Sequence, residues 1–201
     1  MLARLMKVNR PPHYVNKQGF PGGIIKPSED TLEAAGRILG ERGGVDVKKV
    51  YLEQLFTFSK VDRDQRGRVV SVAYLGLVPW ESIGADEKMS NEQQGWFDAF
   101  AAKNLAYDHD EVLITALERL RSKIEYSTII SNVMPKEFTL TDLEKAYALI
   151  LKRELDKRNF RKKILSLEIL ESVNKKREVG RFRPDQLYRF KSKKIREINI
   201  L

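Results

Sequence analysis

Apolar positions along this chain change their spacing several times, and each change marks an element. Leu2 to Val8 is a short apolar run closed by the breaker RPP, which fits a strand. After the loop FPGGIIKPSED, the stretch TLEAAGRILGERGG reads as a helix. Asp30 and Glu33 stand three apart as a capping box ahead of it, and Gly43–Gly44 stops it. VKKVYLEQLFTFS reads as a strand on Val50, Leu52 and Phe56. RVVSVAYLGLV, from Arg68 to Val78, is β-branched and nearly all apolar, as expected of a strand buried on both faces. GWFDAF opens a further strand or turn. In DHDEVLITALERLRSKIE, Val112, Leu113, Ala116, Leu117, Leu120 and Ile124 recur at helical spacing. Strands and helices mixed in this way predict an α/β domain over residues 1–127.

From Met134 the pattern changes, and residues 128–201 read as a second, α+β domain. Thr141 and Glu144 stand as a capping box, and Leu143, Ala146, Tyr147, Ile150 and Leu151 form one apolar helical face. After the turn KRELD, Asp156 is an N-cap for KRNFRKKILSL. That helix has an apolar stripe of Phe160, Ile164 and Leu167. Its opposite face carries Arg158, Asn159, Lys162 and Ser166, flanked by Lys157, Arg161 and Lys163. Two helices across a tight turn, the second with an apolar back and a basic front, are what a helix-turn-helix requires. Two short strands follow, Leu170 to Asn174 and Gln186 to Lys191, around a basic loop with Arg181 and Arg183 near its tip. This is a wing placed to reach a phosphate backbone or minor groove. The alternative is a basic helical hairpin used for protein contacts.

Charge divides the chain in the same sense. Leu151 to Leu201 holds 17 Lys+Arg against 7 Asp+Glu, while the other 150 residues hold 20 against 21. The whole excess of +9 therefore lies in the last quarter, which points to a polyanionic partner for a basic domain beside a near-neutral one. The absence of cysteine excludes a disulfide framework and a cysteine metal site. With His13 and His109 as the only histidines, a histidine-rich metal site is excluded too. No apolar run approaches the roughly 18 residues of a membrane span, and MLARLMKVNRPP has no secretion-signal pattern. A cytoplasmic protein without a membrane partner is expected.

Between Gly22 and Val45 the spacing carries chemistry. Gly23 is followed by Glu29, then Arg37, Leu39, Glu41, Gly44 and Val45. This frame resembles the Nudix box, G-x5-E-x7-R-E-U-x-E-E-x-G-U, with U a bulky apolar residue. The resemblance implies a site where glutamates of R-E-U-x-E-E hold magnesium and help activate water against a diphosphate. Here the first of those glutamates is Ile38 and the last is Arg42; only Glu41 remains. Positions 38 and 42 share one helix face. Magnesium needs oxygen ligands in near-octahedral geometry, and isoleucine offers none. A guanidinium at about 4 Å repels a divalent ion by roughly 8 kcal/mol at an effective dielectric of about 20. The expectation is no metal site, no required cofactor, no magnesium and no catalytic residue. In its place Arg42 would meet the diphosphate directly, with Glu41 pairing with Arg37. The alternative is that Arg42 is merely solvent-exposed after the site decayed.

Further on, Arg63, Asp64, Arg66, Gly67, Arg68, Val69 and Val70 resemble the R-D-x-R-G-x-V-V run of Nudix proteins of the ADP-ribose pyrophosphatase type. Arg63, Asp64, Arg66 and Arg68 either contact the phosphate and ribose of a ligand or form an internal Arg–Asp network that orders the loop. With Arg37, Glu41 and Arg42 they are the candidate ligand-binding residues. Nudix domains carry a longer stretch before the box than this chain does. A Nudix-like α/β/α sandwich lacking its first strand, or a truncated chain, is therefore expected.

MPKEFTLTDLEKAYALILKRELDKRNFRKKIL with GRFRPDQLYRF, joined to an altered Nudix box, resembles the Nudix-related transcriptional regulators of the NrtR type. The resemblance implies a non-hydrolytic effector domain that senses ADP-ribose or a related nucleotide. It also implies a winged helix-turn-helix that binds palindromic DNA operators as a homodimer, as a repressor of NAD-metabolism genes. The candidate DNA-binding residues are Thr139, Thr141, Lys157, Arg158, Asn159, Arg161, Lys162, Lys163, Arg181 and Arg183. A true Nudix hydrolase of the ADP-ribose pyrophosphatase type and a sugar-responsive regulator of the same family stand as alternatives.

Overall fold

The computed structural model describes residues 1–88, 93–177, 184–198 and 200. Two compact units emerge: Met1–Val78 with Ser82–Leu117, and Pro79–Glu81 with Glu118–Leu201.

In the first unit, β1 (Leu2–Arg10) is the middle strand of an antiparallel sheet, flanked by β2 (Tyr14–Gly19) and by a strand at Gln94–Asp98. The strand expected to be missing is thus present, and a complete hairpin precedes the box. β2 escaped sequence reading because it is an edge strand. Its ends, Tyr14 and Gly19, are buried, but Val15, Asn16 and Lys17 between them are exposed, so no alternation shows. β1 sends Leu5 into a core with Ala99, Leu105 and Leu113. Next come α1 (Thr31–Gly43), then β3 (Tyr51–Phe58) and β4 (Ser71–Leu77), which pair as a separate two-stranded antiparallel ribbon. The expectation of a strand buried on both faces is corrected here. Val69 and Val70 precede the strand at 40% and 55% exposure, and within β4 only Leu77 is buried. The β-branched run supplies strand propensity, but a ribbon of two strands offers little to cover it. The short α2 (Ala85–Lys88) leads toward the third strand of the first sheet, β5 (Gln94–Asp98).

The boundary between units falls within α3 (His109–Tyr126), which buries Leu113 before it and Leu120 and Ile124 after it. In the second unit a buried turn at Thr128–Asn132 is tied to the chain end, with Thr128 N–H donating to the Arg196 carbonyl at 3.0 Å. Then follow β6 (Phe138–Thr139), α4 (Leu140–Leu151), α5 (Lys157–Ser166), β7 (Leu170–Arg177) and β8 (Asp185–Phe190). The sheet runs β6–β8–β7, with Phe138 opposite Tyr188 and Leu170 opposite Phe190. β6 is too short for sequence reading, and β7 extends past the expected Asn174 to Arg177. Phe138, Leu143, Tyr147 and Ile164 are fully buried and join the two helices to the hairpin. This is a winged helix-turn-helix. No described helix is long and apolar enough to cross a membrane.

Candidate functional site

The helix α1 and the loop before it hold each other in place. Asp30 caps α1 by accepting from Leu32 and Glu33 N–H at 2.8 Å, and the Glu33 carboxylate accepts from Asp30 N–H. Gly44 ends the helix in the left-handed region, φ 64°, where glycine avoids the Cβ clash. Arg37 reaches back across the loop. Its guanidinium forms a two-pronged pair with Glu29 and donates to the Ile24 carbonyl at 3.1 Å and to Glu41 at 3.2 Å. The hydrogen bond from Arg37 pulls the Glu29 carboxyl from its ordinary 4.5 down to about 2. A Cβ at Gly23 would lie 2.9 Å from Ile38 Cδ1, so Ile38 packs directly against this glycine. Arg42 donates to the Gly22 carbonyl. Both departures from the Nudix box therefore pack onto the Gly22–Gly23 loop, one through apolar contact and one through a hydrogen bond.

The residues here do not fit a magnesium ion. Glu41 is paired with Arg37, and isoleucine and arginine fill the other two positions. Among the described residues no three His, Asp or Glu side chains converge. Beside this face, Gly36, Gly40, Val47, Val50 and Leu52 floor an open groove of about 860 Å³, rimmed by Glu33, Arg37 and Glu41.

The loop after β3 turns inward. Arg63 pairs with Asp108 through both carboxylate oxygens at 2.7 and 2.8 Å, and both side chains are under a tenth exposed. Asp64, also buried, accepts twice from Arg66 at 2.7 and 3.0 Å. Arg66 lies over the Tyr107 ring at 5.1 Å, and Tyr14 packs on that ring with centroids 4.4 Å apart. Arg68 donates to the Ser59 and Lys60 carbonyls. Of the two readings open for these residues, the internal network describes the geometry. Arg63 and Asp64, proposed as ligand contacts, are committed to it and buried; Arg66 and Arg68 stay exposed but are engaged. Tyr14, Tyr107, Asp108 and His109 were missed. His109 Nδ1 accepts the Phe20 N–H at 2.9 Å, pinning the start of the box loop to α3.

In the second unit the cap of α4 differs from the expected pair. Thr139, 1% exposed, is the N-cap: it accepts from Asp142 N–H at 3.1 Å while Asp142 accepts from Thr139 N–H. Thr139 is therefore a buried cap and no surface DNA contact, and Thr141 and Glu144 do not form the capping box. Thr141 instead accepts from Arg161 at 2.9 Å. Asp142 also accepts from Arg177 at 2.8 and 2.9 Å, tying the end of β7 to the start of α4. Desolvation raises the Asp142 carboxyl, but the hydrogen bonds from Arg177 and Thr139 outweigh it and the net direction is down.

Asp156 caps α5 by accepting from Asn159 N–H at 2.8 Å. Phe160 and Ile164 are buried, with Phe160 packed on Tyr147 at 5.1 Å between centroids. Lys157, Arg158, Asn159, Arg161, Lys162 and Lys163 are all exposed, so about two turns of helix present cations to solvent. Arg181 and Arg183 lie outside the described residues.

Comparison with known proteins agrees with this geometry. Residues 3–117 match the NUDIX domain family, and residues 130–190 match the NrtR DNA-binding winged helix domain. The ADPR responsive transcriptional repressor NtrR of Acinetobacter baylyi is 33% identical over 175 residues, covering 85% of this chain and 68% of that protein. An ADP-ribose pyrophosphatase of Methanocaldococcus jannaschii is 32% identical over 95 residues, 47% of this chain and 53% of the enzyme. The crystal structure of Shewanella oneidensis NrtR complexed with a 27mer DNA superposes with a TM-score of 0.81 at 28% identity, over 94% of this chain and 86% of that one. With a Nudix unit, an NrtR-type winged helix and likeness to such a regulator over 85% of its length, the chain belongs to the NrtR family of Nudix-related transcriptional regulators.

Proposed function

We infer that this chain is a DNA-binding transcriptional repressor whose Nudix-like unit senses ADP-ribose or a related nucleotide without hydrolysing it. The observation that carries the reading is α5, capped by Asp156, buried along Phe160 and Ile164, and cationic on its open side. A helix so placed in a winged fold enters the major groove, and its lysines and arginines neutralise phosphates. The Acinetobacter relative is described as responding to ADPR, and Shewanella NrtR has been crystallised on DNA. The protein acts in the cytoplasm, as a homodimer on a palindromic operator at genes of NAD metabolism.

In the effector unit, Arg42 supplies at the Gly22–Gly23 loop the positive charge that magnesium supplies in a Nudix enzyme. Ile38 beside it removes a water-activating carboxylate, so the diphosphate is bound and not cut. Likeness to an ADP-ribose pyrophosphatase favours hydrolysis as a second reading, and the replaced glutamates oppose it.

A duplex selected from a random pool tests the whole reading. Arg158→Ala with Lys162→Ala should abolish its binding while the melting temperature stays within a few degrees. ADP-ribose in EDTA should release the wild type from the duplex, and Arg42→Glu should weaken that response at least tenfold. Release that needs added magnesium, or turnover of ADP-ribose by the wild type, would overturn the metal-free sensor. Retention of DNA binding by the double variant would overturn the role of α5.

A further inference from the structure

The apolar face of α4 contains one residue of the wrong kind. Leu143, Tyr147 and Ile150 are buried there, and so is Glu144, whose side chain is 9% exposed. Glu144 Oε2 has no hydrogen-bond partner. Burying a carboxylate costs several kcal/mol unless cations surround it, on the order of the desolvation penalty of any ion. The neighbours are two cations of the DNA-facing helix. Lys157 Nζ lies 3.8 Å from Oε1 and Arg161 lies 4.0 Å from Oε2. Lys157 and Arg161 stand four apart on α5 and so flank the same edge of it. Arg161 is fixed a second time by its 2.9 Å hydrogen bond to Thr141 on α4.

The cations of α5 thus form two sets. Arg158, Lys162 and Lys163 are exposed and pair with no described carboxylate. Lys157 and Arg161 are drawn toward the start of α4, yet keep 76% and 44% of their side-chain surface in solvent. A negative charge behind a surface that must bind a polyanion lowers non-specific affinity, so a purely attractive surface would not contain it. What it adds is direction. A long flexible cation that is held at one end of its range loses less rotamer freedom when it meets a phosphate at a defined place.

We propose that Glu144 is a positioning residue for DNA recognition: it orients Arg161, and with it Lys157, as phosphate contacts that set the seating of α5 in the groove. The remaining face, Arg158, Asn159 and Lys162, is then brought to the base edges in one register. Phosphate contacts of this kind carry no sequence information themselves but fix the position from which bases are read. The inference rests on the DNA-binding reading given above.

The test compares a selected duplex with a scrambled duplex of equal length, across a range of salt concentrations. Glu144→Gln keeps the shape and removes the charge. It should hold or strengthen binding to the scrambled duplex while weakening binding to the selected one, so that discrimination falls about tenfold. The salt slope on the selected duplex should fall by about 0.9 for each phosphate that α5 no longer neutralises. Because Glu144 acts through Arg161, the effect of Glu144→Gln should largely vanish in an Arg161→Ala background. Thr141→Val, which releases Arg161 without touching the buried charge, should reproduce the loss of discrimination and covers the case in which Glu144→Gln fails to fold. Equal change on both duplexes, unchanged slopes, or full additivity with Arg161→Ala overturns the proposal while leaving DNA binding intact. A wild type that binds no duplex overturns the DNA-binding reading itself, and this inference with it.

Discussion

Single residues in this protein are decided by what surrounds them more than by their type. His109 is mostly buried, and burial pushes its imidazole from the ordinary 6.5 down to about 4, with Arg63 adding to the shift and Asp108 and Asp110 opposing it. The ring must stay neutral, because Nδ1 accepts the Phe20 N–H. As pH falls, the unfolded chain takes up the proton first, since its histidine has the higher pKa. Stability from this group is therefore complete above about 6.5 and is lost between 6.5 and 4. A shift of this size corresponds to about 3 kcal/mol. Denaturant titrations at pH 7 and pH 4 should show a loss of that order, and the His109 ring should titrate near pH 4 by NMR. A ring that titrates near its ordinary value would contradict the buried geometry. None of this was visible in sequence, because Phe20 and His109 are 89 positions apart. The Arg37–Glu41 pair was foreseen, because it needs only helical spacing.

Elements were legible where their signals are local. The capping box of Asp30 and Glu33, the Asp156 cap and Phe160 and Ile164 of the α5 stripe stand as read, while Leu167 is the half-buried C-cap. The start of α4 does not, since two threonines, each followed three residues on by an acid, compete for the cap. Burial decides between them: Thr139, the last residue of β6, lies inside the unit, and Asp142 is claimed by Arg177 from β7. Thr139→Ala should cost about 0.5–2 kcal/mol, the range for removal of a cap, and Thr139→Ser, which keeps the hydroxyl, should retain most of that stability. Chemical unfolding measures both. In the folded state the salt slope of DNA binding should be the same for Thr139→Ala and wild type. A fall near 0.9 would instead mark Thr139 as a phosphate contact.

For the molecule as a whole, charge is the coarsest signal. The near-neutral first part and the +10 of the last quarter correspond to an effector unit and a DNA-binding unit. One α5 spans few base pairs, and helix-turn-helix proteins reach specificity by pairing half-sites about one turn apart. Sedimentation at micromolar concentration should give a homodimer, and one dimer should occupy one selected duplex. A monomer both free and on DNA would remove the basis for a palindromic operator.

Sequence alone determined what rests on order and spacing: an altered Nudix frame, the caps of α1 and α5, the basic front of α5, and the asymmetry of charge. These follow from local periodicity and from residue types whose chemistry does not depend on fold. Tertiary structure decided the pairings. It placed the polar edge strand β2 beside β1, and it turned Arg63 and Asp64 inward against Asp108 and Arg66. It also set Glu144 behind Lys157 and Arg161. An arginine reads the same in a chain whether it meets a phosphate or a carboxylate. Only packing, which fixes which acid lies within reach and how much water remains around the pair, distinguishes the two.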